Sequence, residues 1–312
     1  MNHDTPHQDA DGTDEPGRAD ANPTSALAAD PATTSDGGTG ASDGGTGASD
    51  GTDGVGRSIE LEVEVPGTPE QVWRAIATGP GISSWYVPHA VEERAGGSVE
   101  LSFGPGMDGT GRVAVWEPPH RIVLDGGDGA GGLAFEWMVE ARDGTSCIVR
   151  LVNSGFGSGA DWDGQYDAMR DGWLIFLTNL RLHLEHFAGE SATASLPMAT
   201  WPGPRDAAWR RLLADLGLPA DPRPGDRVAT SAADAPELGG VVAATSHDHL
   251  ALVVDRPTPG TAFVAAEEVG GSISVSVWTY LYGPDGALAS ERDDPRWREW
   301  LEARGSASER GS

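Results

Sequence analysis

Two histidine pairs are the residues whose types and spacing most invite chemistry. His183-Leu184-Glu185-His186 sets two imidazoles three residues apart, about one helical turn, a spacing that can hold a metal ion. The zincin pattern, however, needs His-Glu-x-x-His and a third ligand. Histidine near a helix C-terminus is favourable through the dipole alone, so this pair reads as charge complementarity. His247-Asp248-His249 falls between two apolar runs and reads as a polar turn. Cys147 is the only cysteine; its neighbours alternate with apolar residues and no histidine is near in sequence, which describes a buried, inert thiol. A single cysteine also excludes an intrachain disulfide, a paired-thiol redox motif and a multi-cysteine zinc site. All 21 basic residues are arginine, which removes Schiff-base chemistry, the phosphate-loop lysine and a lysine general base. Ser154 to Gly159 is glycine-rich but follows a meander strand, outside the context of a dinucleotide fingerprint, and reads as a loop. No catalytic residue, metal or cofactor is expected.

What remains is a set of large rings with few polar companions. Trp85, Tyr86, Phe103, Trp116, Phe135, Trp137, Phe156, Trp162 and Trp173 can either fill a core or leave gaps that a ligand occupies. Pockets combine such walls with a small number of polar anchors; His89, Arg150 and Asn153 are available, and Arg150 points outward on the alternation of its strand. The candidate ligand-binding residues are Trp85, His89, Phe103, Trp116, Phe135, Trp137, Asn153 and Trp173.

Those residues need elements to position them. Ile59, Leu61, Val63 and Val65 alternate with Glu60, Glu62 and Glu64, the period of a strand with one wet face. Thr68, Pro69 and Gln71 form a capping box with proline at the first helical position, and Gly79 stops that helix. A further turn or short helix is expected over 80–88. Alternating runs around 99–103, 111–117, 120–124, 133–140 and 145–153, separated by Asp125-Gly126 and Asp143-Gly144, describe an antiparallel meander. Tyr166, Met169, Trp173, Leu177, Leu180, Leu184 and Phe187 then recur at three or four residues, the stripe of a long amphipathic helix. The fold class is therefore α+β, with the helix lying across a curved sheet.

Residues 1–56 contain no aromatic residue and repeat Ser-Asp-Gly-Gly-Thr-Gly-Ala from Ser35 and again from Ser42; they read as a disordered acidic Gly/Asp/Ser/Thr-rich tail. The first domain is expected over 57–188 and a linker over 189–203. A small α+β domain follows over 204–304, an abbreviated copy of the same architecture, then a disordered tail over 305–312. Its elements are a helix with Trp209, Leu212 and Leu216, strands near 239–245, 249–255, 261–268 and 273–281, and a last helix capped by Asp294 and Pro295. The net charge of -27 repels phosphate and anionic headgroups, so nucleic-acid and membrane-surface roles are not expected. With no apolar stretch long enough for a membrane span or signal peptide, a cytoplasmic location is expected.

Gly81 to Pro88 (GISSWYVP), Gly96-Gly97 before a strand, Gly111 before the Trp116-Glu117-Pro118-Pro119 corner, Asn153-Ser154-Gly155-Phe156 and the helical Gly172-Trp173 follow one another along this stretch. Over 57–188 the chain resembles the family homologous to the activator of the heat-shock-protein-ninety ATPase, within the START-like (SRPBCC) superfamily. The resemblance implies a helix-grip fold with an apolar cavity between sheet and long helix, and places the His89 region at the cavity mouth. The expected function is a non-catalytic module binding a small hydrophobic or amphipathic molecule, or a protein partner. A cyclase- or dehydratase-like enzyme on the same fold, with His89 moving a proton, and co-chaperone-like partner binding are the alternatives. Deleting residues 1–56 is expected to leave the thermal unfolding of the remainder within a few degrees, because the segment has no apolar anchors; a larger fall in a calorimetric scan would mean that it docks.

Overall fold

The computed structural model describes residues 57–126, 133–156, 160–269 and 271–309. The tail expected over 1–56, the stretch 157–159, residues 310–312 and the Trp162 side chain lie outside what is described. Strand β1 (Arg57–Pro66) buries Ile59 and Val65 and turns its glutamates outward. Thr68 caps α1 (Pro69–Ala77): its hydroxyl accepts from the Gln71 amide at 3.4 Å, while Gln71 Oε1 accepts from the Thr68 amide at 2.8 Å. The short α2 (Gly79–Ser83) packs so tightly on α1 that a Cβ at Gly81 would lie 1.9 Å from the Arg74 carbonyl oxygen; glycine is the residue that permits this approach.

Six strands follow as an antiparallel meander: β2 (His89–Val91), β3 (Ser98–Ser102), β4 (Asp108–Glu117), β5 (Arg121–Asp125), β6 (Ala134–Ala141) and β7 (Ser146–Phe156). Strand β1 returns to pair with β7, giving the order β1-β7-β6-β5-β4-β3-β2. The outer face is wet and ion-paired, with Arg150 on Glu62 at 2.5 Å and Arg121 on Glu136 at 2.5 Å. Helix α3 (Ala160–His186) lies on the inner face. Its Trp173, Leu177, Leu180 and Leu184 are buried, as the stripe requires, but so are Ile175, Phe176, Asn179, Leu182 and His183.

The second sheet explains the extra burial. Strands β8 (Ala192–Ser195) and β9 (Met198–Trp201) both pair with β14 (Ser272–Tyr282). The stretch 189–203, expected as a linker, thus carries two strands. Its small, weakly apolar residues give little pattern of their own, and pairing along β14 makes them strands. Helix α4 (Arg205–Leu216), β10 (Arg227–Ala229), β11 (Gly239–Thr245), β12 (His249–Arg256), β13 (Gly260–Val269), β14 and α5 (Gly283–Glu309) complete the chain. The sheet order β10-β11-β12-β13-β14-β8 repeats the connectivity of the first sheet with one meander strand fewer. The last helix begins eleven residues before the expected cap and continues through Glu309, beyond the expected start of a tail, with Pro295 inside it. Asp294 does not cap it; its carboxylate accepts from Arg298 at 2.8 Å and from the Ser195 hydroxyl at 2.8 Å.

Side chains of β13 and β14 alternate between two cores. Val264, Ala266, Val275 and Val277 join Trp209, Trp297 and Leu301 from α4 and α5. Phe263, Trp278 and Tyr280 join the core of the first sheet and α3. Phe176 stacks on Trp278 with centroids 5.5 Å apart, and Phe187, just beyond α3, on Tyr282 at 3.9 Å. Helix α3 is therefore covered on two faces, by the inner face of the first sheet and by one face of the second.

His183 sits in this second contact, 2% exposed, with Nδ1 2.8 Å from the Tyr282 hydroxyl. The sequence reading of charge complementarity is corrected here: burial lowers His183 to about 4, so the ring is neutral at physiological pH, and only His186 is exposed. The unfolded chain, with an ordinary histidine near 6.5, takes up the proton first as pH falls. Stability is expected to be full above about pH 6.5 and to decline towards pH 4, with His183 contributing on the order of 2–3 kcal/mol. Denaturant melts across that range check this, and His183→Gln is expected to be less stable at neutral pH with a shallower decline.

Candidate functional site

A partly open cavity lies between the inner face of the first sheet and α3. It measures about 70 Å³, several times the roughly 10–15 Å³ that holds one water on the same measure. Its walls come from five places in the chain, Ile76 of α1 among them. Ile82, Trp85, Tyr86 and His89 come from α2 and the segment leading into β2; Val99, Leu101, Thr110 and Gly111 from β3 and β4; Leu124, Phe135 and Trp137 from β5 and β6; and Trp173 from α3. The glycine at 111 is required by a close approach, since a Cβ there would lie 2.5 Å from the Asp125 carbonyl oxygen.

The rings pack against one another, edge to face where Trp137 meets Trp173 and Trp85 and tilted elsewhere. Trp173 lies 5.0 Å from Tyr86, 5.6 Å from Phe135 and 5.4 Å from Trp137, and Trp85 meets Trp137 at 5.6 Å. The Trp85 indole N–H donates to the Ala75 carbonyl at 2.8 Å, which fixes that ring. Two other polar atoms of the wall lack partners. The Trp173 indole N–H is buried without a hydrogen bond, and the Tyr86 hydroxyl forms none with the described residues, while burial raises its pKa. His89 is half-buried at the start of β2. Its Nδ1 lies 2.7 Å from the Val87 carbonyl oxygen, an acceptor only, so Nδ1 carries the proton and Nε2 is the acceptor. Burial lowers its pKa to about 4, against the upward pull of that backbone bond.

Of the residues singled out in the sequence, Trp85, His89, Phe135, Trp137 and Trp173 line the cavity together. Phe103, Trp116 and Asn153 do not. Phe103 stands behind Tyr86, with ring centroids 5.8 Å apart. Trp116 follows a break in register between Val113 and Val115 and packs on Trp73 of α1 at 5.0 Å. Asn153 is fully buried opposite Phe135 in the β6–β7 register, and neither atom of its carboxamide has a partner. Sequence reasoning left out Tyr86 as a site residue, although it stands beside Trp85 in the GISSWYVP stretch, and the aliphatic wall, which alternation alone does not separate from ordinary core.

The other candidates are local structure. Cys147 is buried with Sγ 3.3 Å from the Gly67 carbonyl, and burial raises its pKa. The His247 turn is closed by Ser246, whose hydroxyl lies 2.6 Å from Asp248 Oδ1 and 2.7 Å from His249 Nδ1. Among the described residues no group of three His, Cys, Asp or Glu side chains could hold a metal ion, and no helix is long and apolar enough to cross a membrane.

Residues 66–185 match the family described as Activator of Hsp90 ATPase homolog 1-like protein. The match runs from the end of β1 to the last turn of α3, the unit that holds the cavity. An uncharacterized protein of Mycobacterium tuberculosis is 26% identical, the match covering 31% of this chain and 77% of that protein. Among solved structures, the Aha1 dimer from Colwellia psychrerythraea is 18% identical, covering 43% of this chain and 99% of that one, with a TM-score of 0.36. The di-domain ARO/CYC BexL from the BE-7585A biosynthetic pathway is 18% identical over 81% of this chain and 95% of its own, with a TM-score of 0.39.

The Tyr86 hydroxyl gives a test of the site. Removing a hydroxyl that bonds none of the described residues costs no hydrogen bond among them, so Tyr86→Phe is expected to keep stability within about 0.5 kcal/mol of the parent. Denaturant midpoints check this; a loss above ~1.5 kcal/mol would mean that the hydroxyl is bonded in the folded protein.

Proposed function

We propose that this is a non-catalytic binding protein whose first unit takes a small hydrophobic or amphipathic molecule between sheet and long helix. The observation that carries the reading is the aromatic-walled cavity, one of whose rings, Trp173, has a buried indole N–H without a partner. A buried donor without an acceptor is costly. A molecule with a flat apolar body and an oxygen acceptor offsets that cost while its body covers Trp85, Phe135 and Trp137. His89 Nε2 adds one acceptor for a ligand hydroxyl. The buried, unmet carboxamide of Asn153 next to Phe135 fits the same reading, as a group that gains when a polar atom reaches past the ring.

An acid-base enzyme of cyclase or dehydratase type is the second reading, and His89 is the observation in its favour: one nitrogen is tied to a backbone carbonyl and the other is left for a ligand. A base whose pKa is held near 4 is poorly matched to proton abstraction at neutral pH, which favours hydrogen-bond acceptance over catalysis. A ligand screen by tryptophan fluorescence, with product analysis of each hit, separates the two. The binding reading expects ligands recovered unchanged and a His89→Gln affinity within about 1 kcal/mol of the parent. Conversion by the parent protein that falls roughly 100-fold in His89→Gln would replace binding by catalysis. A screen in which no compound of this class perturbs the emission would remove both.

A further inference from the structure

Helix α2 ends at its C-cap Ser84, directly before the cavity-lining Trp85 and Tyr86, and a helix end leaves backbone carbonyls without intrahelical partners. Within this segment the Ile82 carbonyl accepts from the Tyr86 amide at 2.9 Å, and the Pro80 carbonyl from the Ser84 hydroxyl at 2.7 Å. The Ser84 and Trp85 carbonyls are satisfied from outside the segment. Asn179 of α3 donates its Nδ2 to the Trp85 carbonyl at 2.8 Å, and Tyr282 of β14 donates its hydroxyl to the Ser84 carbonyl at 3.0 Å. Both donors are held by a further group. Thr261 of β13 donates to Asn179 Oδ1 at 2.7 Å, which fixes the orientation of the carboxamide. The Tyr282 oxygen, having given its proton to Ser84, accepts from His183 Nδ1 at 2.8 Å. Strand β8 adds a third tie, from the Ala192 amide to the Ser84 hydroxyl at 3.0 Å.

We propose that the second sheet is a positioning device for the cavity of the first: Tyr282 directly, and Thr261 through Asn179, hold the Ser84–Tyr86 wall in place. Both ties are buried, where water cannot replace a lost donor. Residues of the second sheet touch no part of a bound molecule in this scheme; they act through the backbone of residues that do. The consequence for affinity rests on the small-molecule reading above, whereas the positioning itself does not.

Tyr280 supplies the control. It is fully buried two residues before Tyr282 on the same face of β14, and its hydroxyl has no partner. Hydrogen exchange at residues 82–89 and Nile red affinity are measured on the full chain for the parent, Tyr282→Phe, Thr261→Val and Tyr280→Phe. The proposal expects exchange at 82–89 to accelerate about tenfold in Tyr282→Phe and Thr261→Val, with Nile red binding weakened to a similar degree, and no change in Tyr280→Phe. Parent-like exchange in both Tyr282→Phe and Thr261→Val overturns it, and so does equal acceleration in all three variants. If Tyr282→Phe does not fold, Thr261→Val against Tyr280→Phe decides. If the parent fails to bind Nile red while exchange responds as expected, the small-molecule reading falls and the positioning role stands.

Discussion

Helix α3 is covered by protein on two faces, and the arrangement of the rest follows from that. A surface helix has one apolar stripe and one wet face. Here Trp173, Leu177, Leu180 and Leu184 serve the first sheet, and Phe176, Asn179 and His183 serve the second. The second contact carries polar groups that must each find a partner in a dry environment. They find them in Thr261, Tyr282 and the carbonyls of the cavity wall, so apolar packing and hydrogen bonding fix the same register between the two sheets. The second sheet is in turn held by a core of its own, with Trp201, Trp209, Trp297 and Trp300 on the face away from α3.

The cavity is a consequence of ring geometry within this frame. Trp85 is pinned by Ala75, its own carbonyl by Asn179, and Trp173 by contacts with Tyr86, Phe135 and Trp137. Rings held from several sides have little freedom to collapse into the space between them, because a packed surrounding relaxes only partially. The result is a preformed aromatic pocket in which the Trp173 indole N–H has no partner among the described residues. Preformed space of this kind favours ligands by sparing the ordering cost of the walls.

Much of the first unit was legible in the sequence because its signals are local. The Glu60–Glu64 alternation, the Thr68–Gln71 capping box and the three-and-four spacing after Tyr166 each depend on neighbours within a turn or a strand. The wall residues Trp85, Phe135, Trp137 and Trp173 were legible as aromatic density. The misses have non-local causes. Trp116 is diverted by a register break in β4, and Phe103 is screened from the cavity by Tyr86. Strands β8 and β9 exist through pairing with β14, some eighty residues away. His183 reads as a helix-end cation until the Tyr282 strand covers it. The signal for that contact was present as Ile175, Phe176 and Leu182, apolar residues off the main stripe that a helix with one buried face has no reason to carry.

The central claim is that α3 is shared core, so that the two sheets with their helices unfold together. Differential scanning calorimetry of the full chain tests it most directly. The account predicts one transition whose van't Hoff enthalpy equals the calorimetric enthalpy. Two resolved transitions, or a calorimetric enthalpy well above the van't Hoff value, would mean that the sheets unfold independently and would contradict it.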